Sequence, residues 1–339
     1  MNKKHFKNIE WSILICTVIL ILIGLLALYS ASKSAEFEDL KKQIIWIIVG
    51  IPLIIVVATI DYRSIAKLSI VYYAISIILL IAVLLTSAIN GATSWFNIGN
   101  ISIQPAEFAK IAVVLFLAKI MSKMSKKEIN RPFKLLIVLA IALIPTLLII
   151  LQPDYGTAMA YVVSTVVMLY VAGIDKKYII VSILLIVIAV PVLYFFILPE
   201  HAKLRIDVYL NPNLDPRGAG YNIIQSKLAI GAGRLVGQGW MNGTQTHLGF
   251  LYPKTTDFIF AVIGEELGFI AGVSIIILYI VLIAKAINIA KTARESLDSY
   301  IATGIARNIY ISCVRKYRDD NGLTSNNRST TSVFKLWRK

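Results

Sequence analysis

The stretch YPKTTDFIFAVIGEELGF, from Tyr252 to Phe269, sets an apolar helix starting at Phe258 directly behind two threonines and an aspartate. Two adjacent glutamates, Glu265 and Glu266, lie inside it. The apolar run continues to Ala284 with no polar stripe, which suits a hydrocarbon core roughly 30 Å thick rather than a soluble surface. Moving outward along the chain, the same kind of block recurs near Trp11–Tyr29, Gln43–Ile60, Leu68–Ala88, Ala106–Met121, Phe133–Leu151, Thr157–Gly173 and Tyr178–Leu198. Of 339 residues, 58% are hydrophobic, and the mean hydropathy is +0.75. Backbone groups in lipid must pair within the protein, so uninterrupted blocks read as helices. A β-barrel would show short alternating segments instead. The expected architecture is an all-α polytopic membrane protein with eight intact spans.

The formal charge of +15 does not make this a nucleic-acid binder. Its basic residues collect in the N-terminus (NKKHFK), in the joints DYRSIAK, KIMSKMSKKEINRPFK, GIDKK and KAINIAKTARES, and in the last few dozen residues. The alternate joints NGATSWFNIGNISIQP and QPDYG carry no positive charge, and SKSAEFEDLKK is mixed. By the positive-inside rule the N-terminus is cytoplasmic and odd helices run outward. The first block follows a basic start with no convincing cleavage site, so it reads as a retained signal anchor. Two cysteines, Cys16 and Cys313, offer neither a disulfide framework nor metal spacing. His5, His201 and His247 make no ligand cluster.

This orientation places residues 199–257 outside. So long a loop is usually functional or disordered, and its aromatic and aliphatic content argues against disorder. Within it, YNIIQSKLAI suggests a short helix on the membrane surface. The glycines of GAGRLVGQG lack the lysine and the preceding strand of a phosphate loop, so they read as turns with close backbone approach. Three carboxylates fall on the outer side: Asp257 at the mouth of the last span, Asp154 in LQPDYGTA, and Glu107 in QPAEFAK. Charges at the mouth of a bundle point to function. Each also has a plain structural reading. Asp257 with Thr255 and Thr256 suits a helix N-cap, Asp154 a turn or cap, and Glu107 an ion pair with Lys110. Glu265 and Glu266, deeper in the helix, suit helix–helix ion pairs or polar contacts.

GATSWFNIG, QPAEFAKI, QPDYGTA, NPNLDPRGAGYNIIQSKLAIGAG with GTQ, and TTDFIFAVIGEELG, in this order, resemble the SEDS family (shape, elongation, division and sporulation), its rod-shape branch more than its division branch. The likeness spans Trp11 to about Ala306. It implies a ten-helix fold and a peptidoglycan glycosyltransferase that polymerises lipid II at the outer face of the cytoplasmic membrane. The implied partners are a class B penicillin-binding protein and other elongation-complex membrane proteins. The family's essential aspartate falls on Asp257, the implied general base. Its second acidic position falls on Asp154, and its Glu…Lys pair on Glu107 and Lys110. Gln104, Gln225, Lys227 and Thr256 sit in the same motifs and are implied substrate contacts. The leaving pyrophosphate needs cations or a divalent metal, Mg2+ or Mn2+. Lys110, Arg217, Lys227, Arg234 and Lys254 are candidates. Two features depart from the family: Thr93 and Ser94 precede Trp95 where basic residues are common, and Tyr252-Pro253-Lys254 stands where Pro-Glu is common. Two other readings keep the same cavity: a lipid II flippase, and a non-catalytic scaffold for the transpeptidase.

After IATGIA the character changes, and residues 307–339 read as an aberrant basic tail. The family continues with two more helices and a Pro-Leu-Pro-Phe…Ser-Tyr-Gly-Gly motif. Phe334-Lys335-Leu336-Trp337-Arg338-Lys339 has codons TTY AAR CTN TGG AGR AAR. Read one base later, they permit Leu-Ser-Tyr-Gly-Gly, and the Trp337 codon forces the first glycine. The same shift lets NNRSTTSV read Ile-Thr-Gly-Leu-Pro-Leu-Pro-Phe. Carried back to Arg307, it permits an apolar helix throughout. The expectation is a frameshift near Ala306, which leaves the 339-residue chain short of two helices and inactive.

Overall fold

A computed structural model describes residues 10–33, 36–86, 93–98, 101–197, 200, 203–204, 207–208, 211–218 and 220–320. Each apolar block is a helix: α1 (Trp11–Ser32), α2 (Glu38–Thr59), α4 (Ser69–Leu84), α5 (Pro105–Ser122), α7 (Pro132–Leu151), α8 (Tyr155–Ala172), α9 (Lys176–Val192) and α12 (Ile259–Thr292). Short helices α3 (Tyr62–Lys67) and α6 (Lys126–Ile129) lie in the basic joints. In the long loop, α10 (Tyr221–Ala232) is the helix expected from YNIIQSKLAI, and α11 (Thr244–His247) follows it. Five of these helices, α1, α2, α7, α8 and α12, are long and apolar enough to cross a membrane. The chain is a multi-pass membrane protein.

Two features add to the sequence reading. The joint before α5 is not plain loop: Phe96–Ile98 (β1) pairs antiparallel with Ile101–Ile103 (β2), Phe96 facing Ile103 and Ile98 facing Ile101. Apolar residues at every second position around Gly99-Asn100 are a hairpin signal. The second is at the C-terminal end. The backbone stays helical from Ser296 to Asp320 (α13), past the expected change of character at Arg307.

The chain divides into two compact units. One comprises the described parts of Met1–Gly50, Pro199–Lys285 and Ser312–Arg338; the other contains Ile51–Leu198 and Ala286–Ile311. The second unit has a continuous apolar core from α4, α5, α7 and α8: Leu80, Val113, Leu117, Met121, Val138, Ile149 and Met168 are at most 3% exposed. Small residues on α5, Ala106, Ala109 and Ala112, allow close helix packing, the usual device where lipid gives no hydrophobic drive between helices. α13 joins this core through Tyr300, and Gly304 lies against Val114. One residue beyond Ala306, Arg307 is also buried, only 5% exposed. Its Nη1 donates to Asn308 Oδ1 at 3.1 Å, but its Nε and Nη2 have no partner among the described residues. Unpaired buried guanidinium nitrogens are costly. Arg307 is the first residue of the expected frameshift, and among the described residues its buried guanidinium is only partly paired.

In the first unit, α12 is not one rod. Gly268 has φ 80° and ψ −176°, a conformation open to glycine alone, and it breaks the helix. The loop segment 234–239 fills the break. The amides of Gln238 and Gly239 donate to the carbonyls of Glu265 and Glu266 (2.9 and 3.0 Å). The amides of Phe269 and Ile270 donate to the carbonyls of Arg234 and Leu235 (2.9 and 3.1 Å). A Cβ on Gly237, itself at φ 86°, would stand 2.1 Å from the Glu266 carbonyl oxygen. The close-approach reading of GAGRLVGQG therefore holds, and its purpose is to seal a broken helix.

Candidate active site

Four of the expected residues come together in the second unit, where α5 and α8 begin. Pro105 at the first turn fixes the start of α5, with Gln104 at its N-cap. Gln104 is 1% exposed, and its Nε2 donates to Asp154 Oδ2 at 2.7 Å. Asp154 is the N-cap of α8: its Oδ1 accepts from the Thr157 amide at 3.1 Å. One turn into α5, the Lys110 ammonium, 9% exposed, donates to Glu107 Oε1 at 2.9 Å. The cap and ion-pair readings of Asp154 and Glu107 are both realised. Neither excludes a role in binding, because a buried, oriented carboxylate is what a binding site requires. Tyr161 was not foreseen. Its hydroxyl donates to the Ala106 carbonyl at 2.6 Å and lies within electrostatic reach of Glu107 and Asp154. A single tyrosine in an apolar helix gives little signal beyond its spacing of two turns from Asp154.

Asp257 belongs to the first unit, in the half-buried turn that precedes α12. The helix starts at Ile259, one residue later than expected. The Phe258 carbonyl accepts from the Val262 amide at 3.2 Å, so Phe258 takes the cap position and Asp257 stands outside it. Thr256 is half-buried beside it. Three residues earlier, Lys254 Nζ donates to the Thr246 carbonyl at 2.8 Å. Burial lowers the pKa of this ammonium below the ordinary lysine value, while the negative charge of Glu266 acts in the opposite sense. On α10, Gln225 is half-buried and Lys227 exposed; Arg217 and Arg234 are also exposed.

Of the ion pairs or polar contacts expected of Glu265 and Glu266, the structure shows polar contacts. Glu265 is fully buried, and its carboxylate accepts from the amides of Gln245 (2.6 Å) and Thr246 (3.0 Å) and from the hydroxyls of Thr246 (2.6 Å) and Thr244 (3.3 Å). It grips α11 as a whole. Glu266 accepts from Ser30 of α1 (2.5 Å) and from the Met241 amide (3.2 Å), and its Oε1 is 3.3 Å from His247 Nε2. Only the Ser30 contact joins two spans. Through α11, Glu265 supports Thr246, whose carbonyl fixes Lys254, three residues from Asp257. Among the described residues no group of three or more His, Cys, Asp or Glu side chains converges as metal ligands.

The sequence pattern of the FTSW_RODA_SPOVE cell cycle proteins matches residues 10–317. The chain belongs to this family. The peptidoglycan glycosyltransferase MrdB of Escherichia coli K12 is 36% identical over 318 residues, covering 91% of this chain and 84% of that protein. Stage V sporulation protein E of Bacillus subtilis is 36% identical over 309 residues, covering 88% and 84%. The fold is similar to that of a chain from a peptidoglycan synthase complex that coordinates polymerisation and crosslinking (TM-score 0.82, 24% identity, 97% of this chain and 92% of that one). It is also similar to the crystal structure of the rod shape determining protein RodA of Thermus thermophilus (TM-score 0.71, 22% identity, 98% and 93%). The FtsW/RodA/SpoVE pattern ends within α13, at residue 317, before the end of its described helix.

Proposed function

We propose that this family member is a peptidoglycan glycosyltransferase that polymerises lipid II during cell elongation, with its N-terminus in the cytoplasm and its long loop outside. The observation that carries the reading is a relative of that named activity at 36% identity over 91% of the chain. Asp257 is the general base. The 4-hydroxyl of one lipid II attacks the anomeric carbon of another; Asp257 takes the hydroxyl proton, the new C–O bond forms, and the lipid pyrophosphate leaves. A carboxylate half-buried at a helix mouth is suited to this, because partial desolvation brings a carboxyl toward a useful basicity. Gln104, Asp154, Glu107, Lys110, Gln225, Lys227 and Thr256 are proposed substrate contacts. Lys110 and Lys254 are already engaged by Glu107 and the Thr246 carbonyl. Exposed Arg217, Lys227 and Arg234 are the cations proposed for the pyrophosphate. A divalent cation, Mg2+ or Mn2+, is proposed to arrive on the pyrophosphate. The partner is a class B penicillin-binding protein.

The test is polymerisation of purified lipid II by the gene product in proteoliposomes, with and without divalent cation and transpeptidase. Glycan strands are expected, with more product when cation is present. Movement of lipid II across the bilayer without strand formation would favour a flippase. In the same assay, Asp154→Ala is expected to lower turnover and to cost about 1 kcal/mol of stability through the lost cap. An early-melting variant with unchanged specific activity would reduce Asp154 to a cap.

The buried guanidinium of Arg307, only partly paired among the described residues, supports the frameshift proposal. The coding DNA is expected to hold one extra base, or to lack two, near the codons of Ala306 and Arg307. A stop codon in the shifted frame, or the absence of codons for Pro-Leu-Pro-Phe and Ser-Tyr-Gly-Gly, would establish the tail as genuine.

A further inference from the structure

We infer that the loop segment Arg234–Trp240 is re-entrant, dipping into the outer leaflet and presenting Leu235, Val236 and Trp240 to phospholipid acyl chains. The leaflet assignment rests on the orientation proposed above; the depth does not. Two rulers within the first unit give that depth. The segment pairs with α12 at Glu265 and Glu266, six and seven residues past the start of the helix at Ile259. At about 1.5 Å per residue this is about 9–11 Å below the helix mouth. Independently, Trp240 Nε1 donates to the Leu26 carbonyl at 3.2 Å. Leu26 lies six residues before the end of α1 at Ser32, again about 9 Å down at the same rise. Both values fall inside the outer half of a hydrocarbon core about 30 Å thick.

The chemistry of the segment matches this depth. Irregular backbone at membrane depth is tolerated only where its polar groups are paired by protein. Here the broken α12 pairs four of them. The side chains left outward are apolar: Leu235 is 65% exposed, Val236 75% and Trp240 46%. A water-facing loop would gain nothing from three large apolar groups in so short a stretch. Arg234, exposed at the start of the segment, is long enough to reach the headgroups. Trp240 stacks on Tyr29 (5.5 Å), which stacks on Phe37 (4.9 Å), an aromatic series rising beside α1 like the belt at a membrane interface.

The test is a spin label at Val236→Cys in the full chain, with Cys16 and Cys313 changed to serine, reconstituted in phosphatidylcholine–phosphatidylglycerol vesicles without partner. Leu235→Cys serves as a second position, and exposed Asn213→Cys as the aqueous control. Collisions with oxygen are expected to exceed those with a water-soluble nickel chelate at both test positions, by a ratio several-fold above that at Asn213→Cys. Free collision with the chelate would mean a solvated loop. Exclusion of both reagents would mean burial in protein. Either result overturns the proposal. Labelling of Asn213→Cys by an impermeant thiol reagent from outside intact cells reports the orientation separately.

Discussion

Asp257→Asn is expected to abolish glycan-strand synthesis from lipid II while leaving expression and transpeptidase binding intact. The substitution keeps the size of the side chain and its ability to hydrogen bond. It removes only the capacity to take a proton. General-base catalysis contributes about 10²–10⁴-fold, so the residual rate should be no more than about one hundredth of wild type. The folded structure should tolerate the change, because asparagine matches aspartate in size and can still hydrogen bond. The measurement is strand formation by a matched amount of folded variant, with partner binding followed in the same preparation. Polymerisation at the wild-type rate would remove Asp257 from the mechanism. Loss of partner binding together with activity would point to a structural part for Asp257 instead.

Glu265→Ala is expected to be the most destabilising substitution in the loop region, by several kcal/mol, because each buried donor left without an acceptor costs about 1–3 kcal/mol. The carboxylate accepts from two amides and two hydroxyls of α11 and is fully buried. Truncation leaves those donors facing a small cavity with no acceptor. Because α11 also supplies the Thr246 carbonyl to Lys254, the turn carrying Asp257 should loosen and activity should fall too. Glu265→Gln retains one acceptor oxygen and should lie between wild type and alanine. Thermal unfolding in detergent, read alongside strand synthesis, provides the check. An alanine variant that melts with wild type would show that α11 stands without its carboxylate.

Much of this fold is legible from hydropathy, because each lipid-crossing block must be apolar whatever it packs against. The eight blocks were recoverable for that reason, and the helix in YNIIQSKLAI from its mixed apolar and polar pattern. The break at Gly268 was not, since one glycine inside an apolar run is common and nothing nearby in sequence announces the segment that fills the gap. That segment lies some thirty residues upstream. The site was legible in kind more than in partnership. Asp154 as a cap and Glu107 with Lys110 as a pair follow from local spacing. The bond from Gln104 to Asp154 spans fifty residues and has no periodic signature. Glu265 and Glu266 were legible as polar contacts but not in their partners, for the same reason. Two carboxylates in a membrane helix suggest another helix as partner, yet most of their donors are loop amides and hydroxyls. The hairpin at Phe96–Ile103 is a different case, because its alternation was visible beside a Gly-Asn turn signal.

The division of α12 at Gly268 also bears on how the protein is made. A continuous apolar helix can leave the translocation channel and enter lipid with every backbone group already paired. This one cannot. Until Arg234–Gly239 has folded back, the carbonyls of Glu265 and Glu266 and the amides of Phe269 and Ile270 lack the partners they have in the finished structure. Each such vacancy in hydrocarbon costs several kcal/mol. The ribosome delivers the patching segment first, so it must wait on the outer side for the helix it completes. Lateral release of the last long span and return of the loop are therefore a single event in biogenesis, and a lesion in the loop should register as a failure of helix insertion.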